Sequence, residues 1–362
     1  MTSTRTSLTP EFSRPPFAAA PDARFEPAPA DGVLPEGFFS TSNLPTYVRV
    51  HGVWQMPARP RMDGAIVRRD AGLEVVEPRL VNRGEPVAIG LAEDGSEGIV
   101  VHAAGFLGTG FKPNEFRFMS TEVSRERPVN YEEMADRVEA ERRAGGYLVW
   151  VVGPALVHSR SRADFEWFIR NGYVQAVLIG NAVAVHDIEA AIFGTTLGMT
   201  RTGQAAEAGH GLHMRAINRI RAAGSIERAV ESGLIQSGIM WTLVTERVPY
   251  VLAGSIRDDG PLPGVVSDAL EAQSAMRDHT VRATGAVFIA TALHAIAVGN
   301  MLPSFHTHRG TPEPLLTICV DQTEFVVSKL KDRGTHQAFG VVTNAQDFMH
   351  VLRSYVDQCR QS

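Results

Sequence analysis

Cysteine is nearly absent from this chain, with only Cys319 and Cys359 among 362 residues. That scarcity argues against a disulfide framework and a cysteine-based zinc site, and it suits a reducing compartment. Lysine is almost as rare: Lys112, Lys329 and Lys331 are the whole set, so chemistry through a lysine Schiff base has few candidates. No apolar run approaches the roughly 20 residues that span a bilayer, and the N-terminus lacks the apolar core of a signal peptide. A cytoplasmic protein is expected. The net charge is −5 and 21% of residues are charged, which gives no reason to expect nucleic acid or an anionic membrane as partner. Finally, G-x-G-x-x-G occurs nowhere, so the standard nicotinamide-dinucleotide fingerprint is missing.

What is present reads as three zones. Residues 1–36 are rich in Pro, Ala, Ser and Thr and poor in large apolar side chains, and are expected to form a disordered or extended arm. Residues 37–128 read as a small β-rich domain. Tyr47–His51, Gly64–Arg68, Pro86–Gly90 and Gly98–His102 are short β-branched runs bounded by Gly, Pro or Asp. Residues 129–362 alternate between helical and strand patterns. Helices are predicted over Glu132–Ala144, Arg162–Asn171, Ala184–Phe193, His213–Ala223, Val266–His279 and Thr323–Asp332. Strands are predicted over Tyr147–Val152, Val174–Ile179, Pro249–Ala253, Leu315–Val320 and Ala338–Val342, with an apolar segment at Gly285–Ala297. Apolar strands separated by amphipathic helices predict an α/β fold, a doubly wound and mostly parallel sheet covered on both faces. At this length two domains are favoured over one.

Ligands of such sheets gather at the carboxyl ends of the strands. Those ends read Gly153-Pro154-Ala155 with His158, Gly180-Asn181-Ala182 with His186-Asp187, Ser255–Asp259, and Asp321. Arg257, Asp258 and Asp259 concentrate charge in one turn, a pattern that suits a polar ligand. The competing readings are an acidic surface turn with a local salt bridge, or an N-cap for the Val266 helix. Small residues at strand ends let a ligand approach the backbone, and helix N-termini behind them offer N–H donors to phosphate. Asp321 suits ribose hydroxyls. Gly299-Asn300-Met301-Leu302-Pro303 is expected to add another polar turn after an apolar segment. His158 and His186 are candidates for proton transfer, with hydrogen-bonded structural roles as the alternative. His210 and His213 stand three apart with Glu207 nearby, yet a zinc site wants a third ligand, so no metal is expected. Flanked by glycines, His210 is expected to touch substrate or phosphate. His306 and His308 fall in Ser304–Pro314, expected to be a surface loop.

Several longer stretches then become recognisable. They are Phe39–Val50, Met119–Pro128, Gly180–Glu189, Gly209–Asn218, Leu252–Pro263, Leu293–Pro303 and Cys319–Asp321. In this order they resemble the alternative ornithine cyclodeaminases of archaea, a family also found as the C-terminal part of cyanobacterial arginine dihydrolases. It shares the LOR/SDH region of plant lysine-degradation enzymes. The resemblance covers about residues 36 to 350.

It implies a tightly held NAD, a nucleotide domain like that of deoxyhypusine synthase, and redox-neutral conversion of L-ornithine to L-proline and ammonia. Carried onto this sequence, the cofactor would meet Gly180, Asn181, Ala182, Ser255, Gly299, Asn300, Met301, Leu302 and Asp321. Asp258, Asp259 and His186 would carry the acid–base work. Arg49, Glu122, Arg127 and His210 would hold the amino acid, a glutamate and an arginine meeting its two charged ends. Ser120, Ser124 and Glu126 belong to the same polar motifs. Gly211-Leu212 departs from the more basic pair expected there, so a related diamino acid or lysine remains an alternative substrate. So does a non-catalytic NAD-binding module. Parallel-sheet enzymes of this size often self-associate, and a homo-oligomer is expected, acting on a free amino acid or with a separate partner.

Overall fold

The computed structural model describes residues 8–106, 129–200, 202–207, 209–258, 260–324, 326–328 and 339–361. They divide into two compact units. One comprises Met1–Val123 with Gly299–Leu315 and Leu330–Gln337, and the other Ser124–Val298 with Leu316–Lys329 and Ala338–Ser362.

In the first unit, strands Thr46–Val50, Ala65–Arg69, Pro86–Ile89 and Ile99–Val101 form where β-branched residues cluster. Val53–Gln55 and Gly72–Val76 add to them. A four-stranded antiparallel sheet runs Arg24–Pro27, Pro86–Ile89, Ala65–Arg69, Gly72–Val76; a three-stranded one runs Val53–Gln55, Thr46–Val50, Ile99–Val101. Val48 and Ile99 of the smaller sheet share a buried cluster with Ile66, Val75 and Ala88 of the larger, so the two pack on each other. The stretch expected as a loose arm differs from that reading. Arg24–Pro27 pairs antiparallel with Pro86–Ile89, Ala28 is buried, and Phe12 stacks on Trp54 at 5.3 Å. Composition undercounted it, because Phe12, Phe17 and Phe25 are few but well spaced for an edge. Ser304–Pro314 is likewise no open loop: Phe305–His308 pairs with Thr311–Pro314. The two-residue turn Arg309-Gly310 has φ of 50° and 82°, the left-handed pair that matches strand twist.

The second unit holds six parallel strands. In chain order they are Leu148–Val152, Ala176–Gly180, Tyr250–Ala253, Gly285–Ile289, Leu316–Asp321 and Phe339–Val342. Across the sheet they lie third, second, first, fourth, fifth, sixth, the order of a doubly wound dinucleotide-binding sheet. Every residue of Leu148–Val152 and Gly285–Ile289 is buried, so helices cover both faces. Trp150 anchors one face, its indole N–H donating to the Tyr173 carbonyl at 2.8 Å with Phe165 and Phe168 against the ring.

Local chemistry sets the helix limits. Asn130 caps Tyr131–Arg143 by accepting from Glu133 N–H. Gly145, at φ 71°, ends it with Gly145 N–H on Arg142 O and Gly146 N–H on Glu141 O, a Schellman closure. The helix expected from Val266 begins only at Ala269, because Val266 pairs alongside Leu252 and Ala253 as an extension of the sheet. Asp268 caps it, accepting from Leu270 and Glu271 N–H. Asp258 therefore has no capping role there. Gly285–Ala297 resolves into a strand and the helix Ala292–Met301. Four α-helices among the described residues were not foreseen: Ala155–His158, Ile226–Glu231, Ile239–Thr245 and the C-terminal Ala345–Gln361. The last buries Ala345, Phe348, Met349, Leu352 and Val356 and packs on Tyr131–Arg143.

Glu139, buried in that first helix, receives Arg142, Arg143 and the Tyr173 hydroxyl. Arg142 above all holds its carboxyl at about 2, against an ordinary value of 4.5. A depressed carboxylate contributes stability above its ordinary range and loses it as pH falls through the folded value. Urea unfolding of wild type and Glu139→Gln should therefore differ most above pH 5. The difference should shrink toward zero between pH 4.5 and about 2.

Candidate functional site

The parallel registers align the strand ends. Ala253 pairs with Gly180 and Asp321 with Val342. Extending the registers of the central strands brings Gly153 level with Gly180, and Ala290 level with Gly153 and Asp321. Four adjacent strands thus end on Ala253, Gly180, Gly153 and Ala290, none with more than a methyl group. The floor of the sheet's carboxyl edge is bare backbone, flanked by Asp321.

Gly153 sits at the switch point, where the strand order reverses. Its N–H donates to Ile289 O at 2.8 Å, and a Cβ built on it would lie 1.9 Å from the Ala290 carbonyl oxygen. Ala290 itself holds φ at 51°, uncommon for a residue with a side chain. The chain leaving the fourth strand turns tightly over the end of the first and starts the helix Ala292–Met301. There the imidazole of His294 comes to rest over the second strand, its Cε1 2.7 Å from where a Gly180 Cβ would stand. Neighbouring strands are about 4.8 Å apart, so the 290–294 segment reaches about 10 Å across the switch point. The protein's own chain thus lies over the ends of the first and second strands. Sequence reading missed His294, although it lies inside the quoted Leu293–Pro303 stretch. Its imidazole is mostly buried, and burial pushes its pKa below the ordinary value while Asp258 pulls the other way.

Beyond Gly180 the helix Asn181–Phe193 starts with no side-chain cap. Its first N–H groups and positive dipole end suit an anion. Asn181, buried, spends its side-chain oxygen on Leu262 N–H at 3.1 Å, holding the loop after the third strand. In that loop Asp258 accepts from Ser255 N–H at 2.8 Å and returns its own N–H to Ser255 O. Ser255 Oγ accepts from Arg257 N–H, and the Arg257 side chain stands in solvent. Asp321 turns Oδ1 onto Thr323 N–H and hydroxyl, leaving Oδ2 without a hydrogen bond among the described residues. The uncapped helix start and this carboxylate oxygen fit the phosphates and ribose of a dinucleotide.

The expected turn at Gly299–Leu302 is instead the last turn of the helix from Ala292, and Met301 and Leu302 are 1% exposed. A helix end buries apolar side chains that a turn would have offered to a cofactor. Asn300 Oδ1 is buried with no partner among the described residues.

His186 and His158 come together with ring centroids 4.7 Å apart. His186 Nδ1 lies 3.6 Å from the carboxylate of Glu189. Glu189 is fully buried and accepts from Thr195 Oγ1, Leu197 N–H and Gly198 N–H. Burial alone would raise its pKa, but the nearby His186 first, and then the hydrogen bonds from Gly198, Thr195 and Leu197, hold it below the ordinary value. His158 is pushed down by burial and then by His186. Asp187 is structural. Fully buried, it receives Arg162 at 2.5 Å and Ile239 and Met240 N–H, so it caps a helix from elsewhere in the chain. Exposed His210 lies in a single 3-10 turn, and no group of three His, Cys, Asp or Glu among the described residues is arranged to hold a metal. In the first unit Arg49 pairs with Asp22 at 3.0 Å. Asp259, Glu122, Arg127, Ser120, Ser124 and Glu126 lie outside the described residues, as do all three lysines.

Residues 132–352 match the family described as arginine dihydrolase ArgZ-like, C-terminal, Rossmann fold, and residues 45–132 match its first region. The chain is 44% identical over 344 residues to the ornithine cyclodeaminase of Methanopyrus kandleri, covering 91% of this chain and 77% of that protein. The chain belongs to the ornithine cyclodeaminase family. Within that family it is 39% identical to the bifunctional arginine dihydrolase/ornithine cyclodeaminase AgrE of Nostoc, of which it spans 47%. The crystal structure of a conserved LOR/SDH protein from Methanococcus maripaludis superposes with TM-score 0.83 at 38% identity, over 94% of this chain and 99% of that one. AgrE solved with ornithine and NAD+ superposes with TM-score 0.60 at 38% identity, over 94% of this chain and 47% of that one.

Two stability predictions follow from this geometry. Gly153→Ala drives a methyl into the Ala290 carbonyl and should cost about 2 kcal/mol or more in denaturant unfolding. Asp187→Ala strands the Arg162 guanidinium and two helix N–H groups, with an expected loss of about 3–5 kcal/mol.

Proposed function

We propose that this chain converts L-ornithine to L-proline and ammonia with NAD as a catalytic cofactor. The observation that carries the reading is the match, over 94% of the chain, to a relative solved with both ornithine and NAD+. The uncapped start of the helix Asn181–Phe193 and the Asp321 oxygen without a hydrogen bond among the described residues add to it, since they suit the phosphates and ribose of a dinucleotide. In this reading the helix start at Gly180, Asn181 and Ala182 receives phosphate, and Asp321 with Ser255 receives hydroxyls. NAD bound there supplies a two-electron acceptor that later returns the electrons, which keeps the conversion redox-neutral.

The chain's own residues have three tasks. They fix the substrate Cα, move protons between its two nitrogens and keep water from the cyclising carbon. Asp258, held by Ser255 N–H at the lip of the sheet, presents a carboxylate to an ammonium group. Asp259 beside it in sequence doubles that negative charge. A carboxylate pair of this kind suits the δ-nitrogen, which must be drawn in as a cation and then lose a proton to become a nucleophile. His186, backed by buried Glu189, stands as a second proton carrier on the same helix whose start would meet the phosphates.

Incubation of the purified protein with L-ornithine and NAD should give proline and ammonia in equal amounts without net NADH. Asp258→Asn should lower kcat by about a hundredfold or more while NAD binding survives. Ammonia from lysine or another diamino acid, with none from ornithine, would move the substrate assignment. NAD binding with no turnover of any amino acid would refute catalysis.

A further inference from the structure

Among the charged and polar groups at the sheet's carboxyl edge, His294 is one that holds no loop or helix in place. Asn181, Asp187 and Glu189 each hold a loop, and Asp258 closes its own turn. His294 makes no hydrogen bond among the described residues, although its imidazole is mostly buried. Gly180 is glycine where any side chain would displace that ring, since a Cβ would stand 2.7 Å from Cε1. The crossing of the switch point by residues 290–294, with Ala290 in the left-handed region, serves to deliver this one side chain to the second strand.

We propose that His294 is a catalytic residue of this site, the group that carries a proton between the two nitrogens of a diamino acid substrate. The inference rests on the functional reading above. The step balances without any outside reagent. The Nε2 or Nδ1 lone pair of the neutral ring takes one N–H proton from a substrate ammonium, whose bonding pair stays behind as the lone pair of a free amine. In the proposed reaction the free amine's lone pair forms the new C–N bond at the substrate carbon, whose two electrons the bound NAD would hold. The imidazolium then gives its proton to the other nitrogen as the old C–N bond breaks with both electrons. The new nitrogen's own pair closes a C=N bond as it sheds a proton to solvent, and ammonia leaves with the ring neutral again. Net, one cationic amino acid yields one zwitterionic imino acid and ammonium. Burial favours the neutral ring that begins the cycle, and Asp258 is the charged group acting on the ring that favours the imidazolium in the middle of it. Ile256 and Leu293, both large, apolar and exposed, stand beside Asp258 and His294 in the chain and would wall such a proton path from water once a ligand lies against them.

The test compares wild type, His294→Gln and His294→Gly with L-ornithine and NAD. His294→Gln should lower kcat by a hundredfold or more and flatten the limb of the kcat–pH profile that rises as the ring deprotonates, with circular dichroism and NAD affinity unchanged. His294→Gly should recover at least tenfold with added imidazole, a gain that no merely structural role would produce. NAD affinity and chemical rescue keep the question open to decision even if Gln perturbs the packing on Gly180. Wild-type turnover with an equally active His294→Gln would overturn this proposal alone. Wild type that yields no proline would overturn the functional reading and this proposal with it.

Discussion

The structure depends on one close contact, the approach of the Ala290 carbonyl to the α-carbon of Gly153. A parallel sheet whose strand order reverses must split its crossover helices to opposite faces, and the reversal leaves a gap in the carboxyl edge. In dinucleotide-binding sheets with a glycine fingerprint, that gap is left for the ligand. Here residues 290–294 cross the switch point close against Gly153 and Gly180. Any side chain at 153 would be within bonding distance of the carbonyl oxygen, so glycine there is required by the turn at 290. The turn in turn fixes where helix Ala292–Met301 begins. His294, Gly180 and the level floor of strand ends all follow from that one approach.

A second constraint is carried by the helix Asn181–Phe193. It is buried over most of its length, yet it sequesters Asn181, Asp187 and Glu189. Burying two carboxylates is costly unless each is fully satisfied. Asp187 meets Arg162 and two helix N–H groups, and Glu189 meets a hydroxyl and two backbone N–H groups. Each of the three side chains pins a different segment: Leu262 beyond the acidic turn, the start of Ile239–Thr245, and the tight turn at Leu197-Gly198. The last of these touches Gly209, whose Cβ would lie 2.6 Å from Gly198 O. A single helix thus sets the positions of the acidic turn and of the Gly209-His210 motif. The polar groups here specify geometry, and the apolar sheet beneath supplies the stability.

The parallel sheet was legible because its strands are continuous apolar runs and its helices are punctuated by glycine and capping residues. Gly145-Gly146 and the Leu148–Val152 run need no tertiary information to read. What escaped was set by packing. Val266 reads as a helix start, but an open sheet edge beside Leu252 captured it. Gly299–Leu302 reads as a turn, but the helix from Ala292 runs on to Met301, with Met301 and Leu302 buried. The acidic turn reads as a cap for the helix expected from Val266, but the pairing of Val266 with the sheet moves the helix start and hands the cap to Asp268. At the site, the carboxylate turn and the Gly180 strand end were visible as residue types at strand tips. His294 was not, because its meaning comes from a contact two strands away, and no spacing in the sequence reports that.

Scarcity of lysine gains a physical sense in this setting. A diamino acid arrives as a cation with two ammonium groups, and a site lined with lysine would repel it while offering no group that is neutral near pH 7. Carboxylates draw the cation in but hold their protons weakly. An imidazole whose pKa burial lowers would supply what they lack in the proposed reaction, a lone pair able to take a proton and release it within one turnover. In that reading the acidic turn at Asp258 and the imidazole at His294 are complementary, one drawing the cation in and the other carrying a proton.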